Sequence, residues 1–188
     1  MRLPIDQKIV CQIEEGIIIN ILKNINENDY PTVGDYRNEI FPDVKSIPIF
    51  HTSTCGKNCK MSSIEKKSGF EKFYPQIVPI LDQLKKYYDY NYHASFIANL
   101  KPGGIIHAHR DRGEFLERCH RVHVPLKTNK DVFYSIAGEN YYWEMGNIYE
   151  FNNTLVHSVF NGSDQERIHL ILNLYNLSEE EMKIMNKI

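Results

Sequence analysis

Histidine is the residue type through which this sequence can do chemistry. Six of its eight histidines, His107, His109, His120, His123, His157 and His169, fall between positions 107 and 169. In the stretch HAHRD, His107, His109 and Asp111 alternate, so a strand that runs through Asp111 sets two imidazoles and a carboxylate on one face. His157, in VHSVF, offers a further imidazole from a second strand-like piece. Two imidazoles and one carboxylate on a common face form the ligand set of a non-haem ferrous centre, which leaves coordination positions open for a substrate and dioxygen. Arg167 follows ten residues after His157, at the head of the apolar run IHLILNLY. A guanidinium buried there needs an anionic partner, because an unpaired charge out of water is prohibitively expensive. Two partners stay open: a structural carboxylate such as Asp131 or Glu150, or a bound carboxylate that matches arginine's two parallel donors.

Strands must carry these groups, and the sequence turns to a two-residue period from about His93. Phe96, Ala98 and Leu100 alternate before the Pro102, Gly103, Gly104 turn, and strand-like pieces follow at 105–109, 120–126, 132–136, 141–143, 148–151, 156–160 and 167–174. Seven or eight short strands separated by turn residues predict a jelly roll, a double-stranded β-helix of cupin-like form, over 93–175. Residues 1–92 read as helical and loop support for this core within one domain. Ile9, Ile13, Ile17 and Ile21 recur every fourth residue and predict one early helix after Asp6. From Asn24 to Gly69 the pattern fades into loop, apart from the apolar patch Ile47 to Phe50. Residues 52–69, rich in glycine and serine, suit a mobile lid. A second helix is expected to begin near Pro75 and to carry Ile77, Ile80, Leu81, Leu84 and Tyr88. Ser178 and Glu181 form a capping box for a last helix within 176–188.

Composition narrows the function classes. In 188 residues, 22 basic against 24 acidic side chains leave a net charge of −2, so no field of one sign points to nucleic acid or anionic lipid. No apolar run approaches the roughly 18 residues of a membrane span, and Asp6, Glu14 and Glu15 interrupt any secretory leader. Four scattered cysteines, Cys11, Cys55, Cys59 and Cys119, do not make a disulfide framework. A cytoplasmic location is the expectation.

The order of His109 and Asp111, RVHVPL at 121–126, Gly146 before an aromatic strand, His157 in HSVFN and Arg167 in RIHLIL resembles the aspartyl/asparaginyl β-hydroxylase family of 2-oxoglutarate-dependent oxygenases. The resemblance spans roughly residues 95–175. It implies that His109 and His157 bind Fe(II), with Asp111 as a third ligand. It also implies that Arg167 with His123 holds the distal carboxylate of 2-oxoglutarate, and that Arg121 lies near a cosubstrate or substrate carboxylate. The implied reaction uses dioxygen to hydroxylate an amino acid side chain, in a peptide or free, while 2-oxoglutarate is decarboxylated to succinate. Two positions depart from the pattern. Animal members resembling it carry glycine where Asp111 stands, and the aspartate pair common before the distal histidine is Asn152 and Asn153 here, so no carboxylate contribution is expected from those positions.

Other readings compete. His107, His109, Glu114 and His157 also fit a cupin ligand set, which implies a metal isomerase, another dioxygenase or a sugar-binding module but leaves RVHVPL and Arg167 unexplained. A jelly roll whose histidines are structural and which only binds a partner is a third class. His51, Cys55 and Cys59 invite a zinc site, although structural zinc wants four ligands. Tyr87, Tyr88, Tyr90 and Tyr92 suit half-buried packing better than base stacking. Arg110, Arg112, Arg118 and His120, between the metal motif and RVH, favour a carboxylate-bearing substrate.

Overall fold

A computed structural model of the chain describes residues 5–31, 41–52 and 64–185. Two antiparallel sheets face one another. The larger has the order β1 (Gln7–Gln12), β9 (Asn147–Phe151), β6 (His120–Lys127), β11 (Arg167–Tyr175), β4 (Tyr92–Leu100), β2 (Val44–Thr52) and β3 (Ile64–Lys66). The smaller runs β5 (Ile105–His109), β10 (His157–Asn161), β7 (Val132–Ile136) and β8 (Glu139–Tyr141). This is the jelly roll that the alternating pattern predicts.

Alternation decides what each face of the large sheet meets. On β11, Ile168, Leu170, Leu172 and Leu174 point outward into a core shared with the helices α1 (Glu15–Asn24) and α2 (Phe70–Leu84). On β6, Val122, Val124 and Leu126 do the same. The intervening residues of both strands therefore face into the roll, and Arg121, His123, Arg167, Ile171 and Asn173 all line its interior cavity. A second apolar cluster, including Phe96, Tyr134, Ile136, Trp143 and Phe151, joins the inner faces of the two sheets.

Three expectations about the first ninety residues change. The isoleucine repeat does not form one helix: Gln7–Gln12 is an edge strand paired with β9, and α1 begins only at Glu15. Ile9 is 56% exposed while Ile18 and Ile21 are fully buried. The free edge of β9 captures a β-branched segment that local periodicity assigns to a helix, because the ladder supplies hydrogen bonds the helix would otherwise make. The stretch read as loop contains the nine-residue β2, paired along most of its length with β4. Its Pro48 is tolerated because β3 pairs only with Phe50, His51 and Thr52, which leaves Pro48 without a ladder partner to serve on that side. α2 starts five residues earlier than expected and holds both Pro75 and Pro79. Gly69 allows that early start. A Cβ there would come within 2.8 Å of Ile47 and 2.9 Å of the Pro48 carbonyl, so only glycine lets the helix begin flush against β2.

The His51 side chain, Cys55 and Cys59 of the zinc reading and most of the proposed lid lie outside the described residues. A short helix that the sequence did not signal, α3 (Glu114–Arg118), follows β5, and the capping box is present at the start of α4 (Glu179–Met185). No helix among the described residues is long and apolar enough to cross a membrane.

Candidate active site

β5 and β10 are neighbours in the small sheet, and their register sets His109 directly opposite His157. The two rings lie 4.2 Å apart between centroids. β5 ends at His109, so Asp111 reaches the cluster from the segment after the strand and not from its continuation. That segment is held by a backbone bond from the Asp111 amide to the Asn153 carbonyl. The ligand atoms of His109, Asp111 and His157 all lie within 4.8 Å of one another, and they form the one such group of three among the described residues.

The surroundings prepare each side chain to ligate. His109 Nδ1 is 2.7 Å from the His107 carbonyl and His157 Nδ1 is 2.9 Å from the Leu155 carbonyl. Carbonyls only accept, so both Nδ1 atoms carry the hydrogen and both Nε2 lone pairs are free. Burial lowers the His157 pKa to about 4, despite the opposing pull of the Leu155 bond and Asp111, so the ring stays neutral. On Asp111, Asn153 Nδ2 donates to Oδ2 at 3.0 Å and Arg121 Nη1 stands 3.6 Å away, which leaves Oδ1 turned to His109 Nε2 at 3.8 Å. Burial would raise the Asp111 pKa. Arg121, His157 and Asn153 overcome it and hold the carboxyl below its ordinary value. Two imidazoles with Nε2 turned to the cluster and one ionised carboxylate fit a divalent first-row cation.

The second half of the site lies on the large sheet. Arg167 is 1% exposed and has no carboxylate partner among the described residues. Asp131 and Glu150, the structural partners the sequence left open, are not used: Glu150 binds Tyr88, His120 and Lys8, on the outer side of the sheet. Arg167 instead donates from Nε to Tyr134 Oη at 2.7 Å and from Nη2 to His169 Nδ1 at 2.9 Å. These neutral partners satisfy donors without neutralising the charge. His123 is buried beside them, 3.4 Å from His169 Nδ1, and its Nε2 has no partner. The metal-ligand group and Arg167 open onto one cavity of ≈ 510 Å³.

Other expected residues divide. Arg121 is engaged with Asp111 and with Asn173 Oδ1 at 3.1 Å. Arg118 is tied to Glu181 and His120 to Glu150, so of the four residues taken as substrate-facing only Arg110 and Arg112 line the cavity. His107 is exposed and outside the ligand group, which removes it from the cupin set; the Glu114 side chain lies outside the described residues. Asn152 and Asn153 both act through their amides. Asn152 serves a turn, whereas Asn153 supports Asp111 through its amide, a role an aspartate could not play beside another carboxylate. Sequence reasoning missed the roles of Tyr134, His169 and Asn173. The polar residues of β11 at 167, 169 and 173 keep the inward parity of an otherwise apolar strand, and that parity was a readable signal.

The sequence profile of the aspartyl/asparaginyl β-hydroxylases matches residues 52–176. No protein of curated function matches the chain. Among solved structures, a prolyl-4-hydroxylase of Pseudomonas putida is similar over 92% of each chain, at 14% identity and a TM-score of 0.60. A prolyl hydroxylase of Trichoplax adhaerens, solved with a peptide fragment of the hypoxia inducible factor oxygen degradation domain, is similar over 97% of this chain and 88% of its own, at 12% identity and a TM-score of 0.59. The viral collagen prolyl hydroxylase of Paramecium Bursaria Chlorella virus-1, solved as a 2-oxoglutarate complex, covers 93% and 98% at 12% identity with a TM-score of 0.53. At these identities the structural likeness speaks to the fold. The profile spans about two thirds of the chain, and with the ligand group and the uncompensated guanidinium in one cavity the conclusion is direct: the chain belongs to the aspartyl/asparaginyl β-hydroxylase family, hydroxylases that depend on Fe(II) and 2-oxoglutarate.

Proposed function

We propose that His109, Asp111 and His157 hold the ferrous ion, that Arg167 with His123 receives the distal carboxylate of 2-oxoglutarate, and that the chain hydroxylates an amino acid side chain in a peptide or a free amino acid. One observation carries this reading: a group of three metal ligands and a buried arginine without a carboxylate share a single cavity. Bound Fe(II) supplies the activation of dioxygen and chelation of the 2-oxo acid.

The protein's own contribution is placement. The carbonyls of His107 and Leu155 fix the tautomers of both histidines, and Asn153 with Arg121 fixes the rotation of Asp111. Arg167, itself held by Tyr134 and His169, sets the depth to which a dicarboxylate can enter. Phe96, Phe151 and Ile171 make the adjoining walls apolar and restrict water. Arg110 and Arg112 at the exposed side of the cavity favour a substrate that bears a carboxylate. A peptide substrate is compatible with the peptide-bound Trichoplax relative.

Anaerobic titration with Fe(II) and 2-oxoglutarate, followed by oxygen and a panel of peptides and amino acids, tests the proposal through succinate and through mass gain on the substrate. His157→Ala should lose both iron binding and succinate formation. Turnover at the wild-type rate in that variant would refute the assignment.

A further inference from the structure

One row of side chains crosses the large sheet at the end of the cavity away from Arg167. The register sets Ala94 beside Asn173 and Asn173 beside Arg121, and all three line the cavity. Asn173 stands six residues beyond Arg167 on β11, roughly 20 Å along the strand. Arg121 links this row to the metal-ligand group, since its Nη1 is 3.6 Å from Asp111 Oδ2. The same guanidinium orients Asn173. Guanidinium nitrogens only donate, so Oδ1 is the atom that accepts from Arg121 Nη1 at 3.1 Å, and Nδ2 is turned away from it. Nδ2 has no acceptor among the described residues. Asn173 is 3% exposed, and the surface it keeps opens on the cavity. Holding Arg121 does not explain this amide. An aspartate at 173 would accept from Arg121 more strongly, through a charge-assisted bond, and would leave no donor unused in a buried strand. What the asparagine adds is the N–H pair.

We propose that Asn173 is a specificity-determining residue for the substrate to be hydroxylated, donating from Nδ2 to a carboxylate drawn to Arg121. The proposal rests on the functional reading above and deepens it. In that reading the near oxygens of 2-oxoglutarate belong to the metal and its far carboxylate to Arg167, so neither calls on Asn173. Asp111 gives its charge to the metal, and Arg121 then lines the cavity with less to compensate it. A guanidinium beside an amide N–H is best met by two oxygens on one carbon. Ala94, the smallest side chain of the row, leaves the space next to Asn173 open to such a group. Arg110 and Arg112 extend the same preference outward along the cavity. The carboxylate is either an acidic side chain within a peptide or the terminal group of an amino acid, and the probes below distinguish the two.

The test keeps the hold on Arg121 and removes only the donor, which is what Asn173→Asp does. Binding is followed by calorimetry on the full chain loaded with Mn(II) and 2-oxoglutarate, so no turnover is involved. The probes are acetyl-Ala-Asp-Ala-amide, whose carboxylate is a side chain, N-acetyl-L-leucine, whose carboxylate is terminal, and acetyl-Ala-Ala-Ala-amide, which has none. The wild-type chain should bind at least one of the two acids and not the third probe, and the acid it prefers identifies the source. In Asn173→Asp that affinity should fall about tenfold or more, while Mn(II) and 2-oxoglutarate bind within about twofold of the wild type. Asn173→Ala, which brings no new charge, should show the same loss for the acid and the same retention of the cosubstrate. Unchanged acid binding in Asn173→Asp overturns the proposal, because a residue that merely anchors Arg121 tolerates that change. Weakened 2-oxoglutarate binding in both variants overturns it too, as does a wild-type chain that binds 2-oxoglutarate and neither acid. If the wild-type chain with Mn(II) fails to bind 2-oxoglutarate at all, the functional reading itself falls and takes this inference with it.

Discussion

Arg167 shows what a single side chain can disclose. A fully buried guanidinium bonded only to a phenol and an imidazole is poorly placed for stability, since neutral acceptors recover hydrogen bonds but not the solvation of the charge. Such a group persists where binding needs it. Arg167→Met should therefore raise the 2-oxoglutarate KM about a hundredfold, the cost of a lost charge-assisted contact of ~3 kcal/mol. The same variant should leave the thermal midpoint of the ligand-free protein unchanged or higher. A fall of several degrees with little change in KM would return Arg167 to a structural role. At this scale the sequence was informative about charge and spacing. His109, His157 and Arg167 stood out because their chemistry is rare in strands, and Asp111 because it follows His109 by two, although the strand ends before it. Tyr134 and Asn153 did not, because a tyrosine and an asparagine acquire their meaning here from a neighbour's unused hydrogen or lone pair, which only coordinates reveal.

Elements impose a division of labour that is sharpest on β11. Every residue of the strand is buried, yet even and odd positions meet different worlds: leucines and an isoleucine face the helices, while Arg167, Ile171 and Asn173 line the cavity. Leu170→Ala should cost about 2–5 kcal/mol in chemical denaturation, the range for an emptied core leucine site, while 2-oxoglutarate binding to the folded protein stays within twofold. Coupled loss of both would mean that the two faces are not independent. The strands from β4 onward were readable since their period of two is reinforced by turn residues at each end, except β8, which the pattern puts at 141–143 and the structure at Glu139–Tyr141. The first ninety residues were readable only in part, at α2 and at the later half of the isoleucine repeat. The fourfold isoleucine repeat satisfies a helix and an edge strand about equally, and what decides between them is the open edge of β9, more than a hundred residues away in the chain. β2 was obscured by Pro48, a residue that argues against a central strand and is accommodated only because its neighbour β3 is short.

At the scale of the molecule, burial leaves four histidines neutral among the described residues. Desolvation holds the pKa of His93 and His157 near 4, and desolvation with the charge of Arg167 also pushes His123 and His169 well below the ordinary imidazole value. In the unfolded chain the same rings take up protons around pH 6.5. The unfolded state then binds more protons than the native one between about 6.5 and 4, so native stability must fall as pH falls through that window. The slope approaches about 1.4 kcal/mol per pH unit for each histidine. Thermal midpoints of the metal-free protein from pH 7.5 to 5 should decline steadily; a flat profile would show that these rings are not held neutral. Asp111 and Glu150, whose pKa values are lowered, add to the loss only under more acidic conditions.

The two halves of the site sit on different sheets: His109 and His157 on the four-stranded one, Arg167 and His123 on the seven-stranded one. A small dicarboxylate gripped at both ends would act as a rivet through the sandwich. Occupancy should accordingly slow amide hydrogen exchange in β5, β7 and β10, strands that give no residue to the core packed around α1 and α2, and metal plus 2-oxoglutarate should protect them more than the two ligands' separate effects combined. Protection confined to the residues lining the cavity would mean the sandwich is already rigid when empty. If the rivet holds, the cosubstrate is also a late structural part of the enzyme, and the cellular supply of a central metabolite would govern how tightly the barrel closes before any substrate arrives.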